Sequence, residues 1–210
     1  MIKGMCITYT VDRGLYINVT NRCTNSCDFC IRNNGDGAYG SDPLWLTREP
    51  TVEEIVNAVF NNDLSDFSEI VFCGYGEPAC RLYDVREVAL KIKEKHPEMK
   101  VRINTNGQSD LIFGIDTASL YQGAFDSVSI SLNTPSAKIY DEICHSVYGC
   151  EAHSALINFA KNVKKYVPEV LFSVVKETLT ESELNECRAI AESAGVTLKV
   201  RNYISAEDSK

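Results

Sequence analysis

Three thiols fall within eight residues in Cys23-Thr-Asn-Ser-Cys27-Asp-Phe-Cys30, a density of soft ligands that suits zinc or an iron–sulfur cluster. A structural zinc ion takes four Cys or His ligands, usually from two spaced pairs. Here His96, His145 and His153 lie far along the chain, and no second Cys-x2-Cys pair exists. A thioredoxin-like redox pair opens a helix directly, whereas Cys27-Asp-Phe-Cys30 follows an extra cysteine and runs into a loop. On a cubane cluster four cysteines would close every iron, while three leave one iron open to a reactant. The spacing favours a cluster that binds something. A second candidate is Gly74-Tyr-Gly-Glu-Pro78. Its glycines let a backbone approach a ligand closely, and carbonyls with a carboxylate suit an ammonium group; its plain alternative is an ordinary turn.

The elements that must carry these motifs are legible from periodicity. Gly14 to Thr20 alternates apolar Leu15, Ile17 and Val19 with polar Asn18 and Thr20, a strand that delivers the chain to Cys23. After a loop from Arg32 to Pro50, Thr51 with Glu54 caps a helix whose stripe is Val52, Ile55, Val56, Val59 and Phe60. Glu69 to Cys73 reads as a second strand, Asp84 with Glu87 as the cap of a helix stopping at His96-Pro97, and Lys100 to Asn104 as a third strand. A helix around Thr117 to Tyr121 precedes a fourth strand, Asp126 to Asn133, with Val128, Ile130 and Leu132 on one face and Ser129, Ser131 and Asn133 on the other. Ser136 to Ile143 and Glu151 to Val167 read as helices and Val170 to Lys176 as a fifth strand. Thr180 with Glu183 caps a last helix closed by Gly195, and Thr197 to Ile204 is a sixth strand.

This alternation implies an α/β domain with parallel strands joined by right-handed crossovers. Six such units are two short of a closed eight-stranded barrel. The polar face of the fourth strand is out of place in a flat sheet covered by helices on both sides. The expected fold is therefore a partial (β/α)6 TIM-like barrel with a polar lumen, its cysteine loop on the C-terminal rim where barrel sites are built.

A chain of 210 residues without repeats, low-complexity tracts or linkers suits one domain, 1–210. No apolar run reaches the roughly 18 residues of a membrane helix, and Met1 to Thr10 lacks the apolar core of a secretory signal, so the expected location is the cytoplasm. Lys and Arg number 21 against 29 Asp and Glu, a formal charge of −8 that disfavours a nucleic-acid partner held by general electrostatics. Nine cysteines, an odd count, speak against a paired disulfide framework and for metal binding.

Cys-x3-Cys-x2-Cys with Phe29 before the last cysteine resembles the signature of the radical S-adenosylmethionine (SAM) superfamily. Gly74 to Pro78 resembles that family's Gly-Gly-Glu-Pro element, whose backbone contacts the methionine amino group. Tyr75 interrupts the two glycines here, which leaves open which of Gly74, Gly76 and Glu77 makes the contact. The resemblance implies a partial barrel over essentially the whole chain, a [4Fe–4S] cluster on Cys23, Cys27 and Cys30, and bound SAM. By the same resemblance Asn104, Asn106, Ser129, Ser131 and Asn133 contact the methionine carboxylate and ribose, and Phe29 and Val200 to Tyr203 lie near the adenine. Each of the polar residues has a plain alternative as a turn-former or loop cap. The loop Arg32 to Pro50, within a cluster loop 23–50, resembles the TatD-associated radical SAM subgroup, which implies a functional neighbourhood with a TatD-type metal-dependent nuclease.

The implied reaction is that an electron from a flavodoxin or ferredoxin reduces the cluster, SAM is cleaved, and a 5′-deoxyadenosyl radical abstracts hydrogen from an unidentified substrate. Two rivals stay open. One is an activase that installs a radical on a protein partner; the other is a non-catalytic iron–sulfur electron carrier, which has no need of an open iron. Cys6, Cys73 and Cys187 read as small core residues, whereas Cys80, Cys144 and Cys150 fall near rim loops where they could touch substrate or a second cluster. Trp45 is expected to anchor the long loop, with a lid as the alternative. Lys176 and Arg201 sit at strand ends, able to hold an anionic substrate group or to pair with acidic side chains.

Overall fold

The strand alternation resolves into one seven-stranded sheet in the computed structural model, which describes residues 1–203. β1 (Thr8–Val11) pairs antiparallel with β2 (Gly14–Ile17). β3 (Glu69–Phe72), β4 (Lys100–Thr105), β5 (Ser127–Ser131), β6 (Glu169–Val175) and β7 (Thr197–Arg201) then follow in parallel, each beside its predecessor. β1 and β7 are the two edges, so the barrel is partial and open. The antiparallel strand β1 is an addition to the six expected. Its turn, Asp12-Arg13, places Asp12 at φ 52° without the Asn-Gly or Asp-Gly pair that announces a hairpin. Ile204, assigned from sequence to the last strand, lies outside the described residues.

Period-two alternation gives the sheet two unlike faces. Leu15, Ile17, Ile70, Phe72, Val101, Ile103, Val128, Ile130 and Phe172 form the main core with the surrounding helices. Each fully buried side chain of this kind contributes about 1.5–3 kcal/mol. The opposite face is polar: Tyr16, Val71, Arg102 and Ser127 share one register row, and Asn104 with Ser129 and Ser131 with Ser173 make the next two. Arg102 forks onto Glu69 at 3.0 and 2.7 Å and donates to Asn104 Oδ1 at 2.9 Å. A polar lumen is thus built in, with Arg102 paired to Glu69 inside it.

The helices are α1 (Val52–Phe60), α2 (Leu82–Lys95), α3 (Ser109–Phe113), α4 (Ala137–Cys144), α5 (Glu151–Val163) and α6 (Glu181–Ala194). Capping boxes at Thr51/Glu54 and Thr180/Glu183 start α1 and α6, and Gly195 at φ 68° ends α6. Asp84 does not cap α2. The helix grows out of a 3₁₀ turn, Pro78–Arg81, whose cap is Glu77; Asp84 lies in the first helical turn and pairs with Arg81 at 2.8 Å. The five-residue α3 is too short for periodicity to reveal, and the segment expected to be helical at Thr117 to Tyr121 is a 3₁₀ turn, Ala118–Tyr121. α5 ends at Val163, four residues before the expected Val167.

A second, smaller core of Tyr9, Ala38, Leu44 and Tyr75, edged by Tyr16, Tyr39 and Trp45, fastens the long loop over β1 and β2. Leu44 and Leu46 are fully buried, and Asn21 exchanges two hydrogen bonds with the Leu46 backbone at 2.8 and 2.9 Å. These leucines anchor the loop. Trp45 between them packs edge-on against Tyr75 at 5.2 Å and lines an open recess of about 550 Å³ beside Ser26 and Arg32.

Candidate cofactor site

Cys23, Cys27 and Cys30 lie half-buried on the loop that leaves the β2 end of the rim. A buried polar network holds the first half of that loop. Gln108 accepts from Thr24 Oγ1 at 2.7 Å and from Ser146 at 3.1 Å, and its amide donates to Asn25 at 2.8 Å and to the Tyr140 hydroxyl at 3.1 Å. The C-terminal end of α4 holds the second half. Ser26 N donates to the Cys144 carbonyl at 2.9 Å and Asp28 N to the Ile143 carbonyl at 3.0 Å, so both neighbours of Cys27 are tied to α4. Asp28 also meets His145 at 2.8 Å, and Phe29 packs against the main core.

The Gly74-Tyr-Gly-Glu segment lies flush on the strand that feeds this loop. A Cβ on Gly74 would run into the Asn18 side chain, and one on Gly76 into the Thr20 and Arg22 carbonyls, so only glycine fits either place. Glu77 N donates to the Arg22 carbonyl at 2.7 Å, one residue before the first cysteine. Tyr75, the departure from the family pattern, turns away into the second core. Its hydroxyl is shared between the Gly35 and Gly37 carbonyls at 2.9 and 2.8 Å, which hooks the long loop onto this segment.

Glu77, expected to offer a carboxylate to an ammonium group, is turned inward. It is 5% exposed and accepts from Thr105 Oγ1 at 2.7 Å, Asn106 N at 2.7 Å and Ala79 N at 2.9 Å. Burial pushes its carboxyl up, and these donors oppose the shift. Asn106 is likewise committed: it donates to Thr24 at 2.7 Å and accepts from Gln108 N at 3.1 Å. Asn104 accepts from Arg102 in the lumen. Ser129 and Ser131 show no side-chain hydrogen bond among the described residues. Asn133, at φ 63°, donates to Cys144 Sγ at 3.3 Å and leaves its buried Oδ1 without a partner. Val200 and Tyr203 are partly exposed, at 38% and 39%.

Burial, with the Glu77 charge beside it, pushes the Cys23 thiol up to about 12; burial also raises Cys30, opposed by the Arg32 backbone. Cys27 is raised by a hydrogen bond shared with Cys144 and then by burial, and the same bond lowers Cys144. Buried thiols of this kind become thiolates only by taking a metal and releasing protons. Among the described residues no group of three or more His, Cys, Asp and Glu side chains converges to hold a single ion. A cubane asks one thiolate of each iron and needs no such convergence. The soft donor set, the glycine-only cradle and the orphaned Asn133 Oδ1 fit a cluster with SAM bound beside it.

Of the expected residues, the three cysteines, Gly74 and Gly76 meet at one end of the rim, and Ser129, Ser131 and Asn133 follow along β5 and just past it. Glu77 and Asn106 lie behind that surface, committed to protein groups. Gln108 and Tyr140 are the supports that sequence reasoning did not find, and Cys144, expected near a rim loop, is fully buried and holds the Ser26 amide through its carbonyl.

An open parallel barrel with a three-cysteine loop on its C-terminal rim and glycine-bearing backbone beside it is the framework of a cluster-dependent SAM-binding enzyme. Residues 17–189 match the Radical SAM superfamily, and the chain belongs to it. That membership implies a [4Fe–4S] cluster and SAM as cofactors, and a reductant. The fold is similar to SuiB from Streptococcus suis bound to its precursor peptide SuiA (TM-score 0.67, 16% identity, 93% of this chain and 40% of that one). It is similar also to SuiB bound to S-adenosylmethionine, with a TM-score of 0.64 and 17% identity over 90% of this chain and 38% of that one. A radical SAM methyltransferase from Sphaerobacter thermophilus matches at TM-score 0.62 and 16% identity over 96% of this chain and 71% of that one. In sequence, 101 residues are 33% identical to 5-amino-6-(D-ribitylamino)uracil–L-tyrosine 4-hydroxyphenyl transferase 1 of Methanosarcina mazei, covering 48% of this chain and 24% of the relative. Among the described residues no helix is long and apolar enough to cross a membrane.

Proposed function

We propose that this chain reductively cleaves SAM at a [4Fe–4S] cluster held by Cys23, Cys27 and Cys30, acting as a single core domain over 1–210. The observation that carries the reading is the locking of the three-cysteine loop to the Gly74–Glu77 segment through Glu77 N on the Arg22 carbonyl and Tyr75 on Gly35 and Gly37. When bound, the reduced cluster and SAM supply a 5′-deoxyadenosyl radical that takes a hydrogen atom from the substrate.

The chain's own residues position the participants. Gly74 and Gly76 let backbone groups reach the methionine amino group, and Glu77 fixes that backbone by joining the ends of β3 and β4. Ser129, Ser131 and Asn133 would receive the methionine carboxylate and ribose, Asn104 lies next to them in the lumen, and Phe29 braces the turn between the last two cysteines. Asn106 acts on the loop through Thr24. A flavodoxin or ferredoxin supplies the electron, a reducing cytoplasm suits nine unpaired cysteines, and the TatD-associated subgroup remains our assignment on the 32–50 loop.

A peptide or protein substrate is the second reading, since the barrel is open between β1 and β7 and SuiB holds a precursor peptide. Anaerobic reconstitution with iron and sulfide, reduction, and assay for 5′-deoxyadenosine test the main reading. Release by the wild type and none by Cys27→Ala is the expected result. A loaded, reducible cluster that leaves SAM intact would make the chain an electron carrier instead, and a stable complex with a folded protein would favour the activase.

A further inference from the structure

We propose that the lumen carries an anion site one strand beyond the SAM contacts, where Ser173, Lys199 and Arg201 hold a phosphate monoester group of the substrate. This rests on the reading of the lumen as the reaction chamber.

The placement follows from the register. Phe172 and Val174 on β6 belong to the main core and Leu198 on β7 packs against it, so Ser173, Lys199 and Arg201 stand on the opposite, polar face. Ser173 pairs with Ser131 on β5 and with Lys199 on β7, which makes one row across three strands. Arg201 follows on the same face, one step nearer the C-terminal rim. The row therefore begins beside the SAM contacts and ends at the open edge of the barrel.

The three side chains have donors to give. Ser173 is only 7% exposed, and its hydroxyl makes no hydrogen bond among the described residues. Lys199 and Arg201 make no ion pair or side-chain hydrogen bond among them either. The acids of this face on β3 and β6 have cations of their own: Glu69 pairs with Arg102 at 2.7 Å and Glu169 with Lys100 at 2.9 Å. Glu177, just past β6, accepts the Tyr203 amide at 2.6 Å. Arg201 is turned over the lumen. Burial raises the Tyr39 hydroxyl to about 12 and also raises the Cys73 thiol, and the Arg201 charge, acting from the far edge of the sheet, opposes both shifts.

The donor set selects the anion. A carboxylate would neutralise one cation and leave the other, whereas a phosphate monoester carries about −1.5 to −2 charges at pH 7 and three acceptor oxygens. Arg201 can fork onto two of those oxygens, Lys199 meets the group as a point charge, and Ser173 donates its hydroxyl.

The test is calorimetric titration of the full chain with inorganic phosphate and with acetate, both metal-free and loaded with cluster and SAM. Saturable phosphate binding should weaken about tenfold in Lys199→Gln and in Arg201→Gln, and stay unchanged in Lys161→Gln, which removes an exposed charge on α5. Phosphate that fails to bind, binds no better than acetate, or is weakened as much by Lys161→Gln overturns the proposal. So does phosphate that competes with SAM, since the cations would then belong to the cofactor. A loaded wild-type chain that binds phosphate as expected yet leaves SAM intact would instead defeat the underlying reading.

Discussion

Tyr75 shows how one residue can fasten two motifs. Its ring belongs to the second core and its hydroxyl to the cluster loop, so Tyr75→Phe should keep the first and lose the second. The expected cost is about 0.5–1.5 kcal/mol in urea unfolding, with faster loss of iron on gel filtration; unchanged iron retention would mean that the hook does not govern the loop. Gln108 carries more. Gln108→Leu leaves Asn25 Oδ1 without its donor and the Thr24 and Ser146 hydroxyls without their acceptor, with an expected loss of about 1–3 kcal/mol per buried group left unsatisfied, measured by denaturant midpoint. The cysteines were legible because their spacing is local. Gln108 and Tyr140 were not, because their partners lie 84 and 115 residues away along the chain. Glu77 and Asn106 were legible as polar residues at strand ends, but which way they turn is decided by donors on another strand.

Helix starts divide in the same way. The Thr51/Glu54 and Thr180/Glu183 boxes are wholly local and were readable, whereas α2 begins where the Glu77 turn hands over, a fact no capping pattern at Asp84 could reveal. Thr51→Ala should cost about 1 kcal/mol. The Arg48 hydrogen bond, helped by the Thr51 amide, holds the Glu54 carboxyl down at about 2 against an ordinary 4.5. A lowered folded-state value means that the stabilisation is complete above about pH 4.5 and lost as the pH falls toward 2. Glu54→Gln should therefore lower the urea midpoint at pH 7 and approach wild type near pH 2. A difference that stays constant with pH would rule out the carboxylate as its source.

At the scale of the whole molecule, the site is a meeting of strand ends, so a bound cofactor should hold several strands together. SAM at a hundred times its Kd should stabilise the cluster-loaded chain by about 2.7 kcal/mol, seen as a higher Tm. The same addition to a chain with Cys23, Cys27 and Cys30 all changed to Ala should leave Tm unchanged; an equal shift in both would separate SAM binding from the cluster. The strands stand in the sheet in the order of their synthesis, each beside the one before it. No strand has to be inserted between two earlier ones, and the sheet can grow as the chain emerges. The cysteine loop is different. It is made early, yet the groups that hold it, from Glu77 to Cys144 and Val147, are made long after it. During synthesis its thiols emerge before the groups that hold them, so a cluster carried on this loop would be held firmly only once α4 has been made.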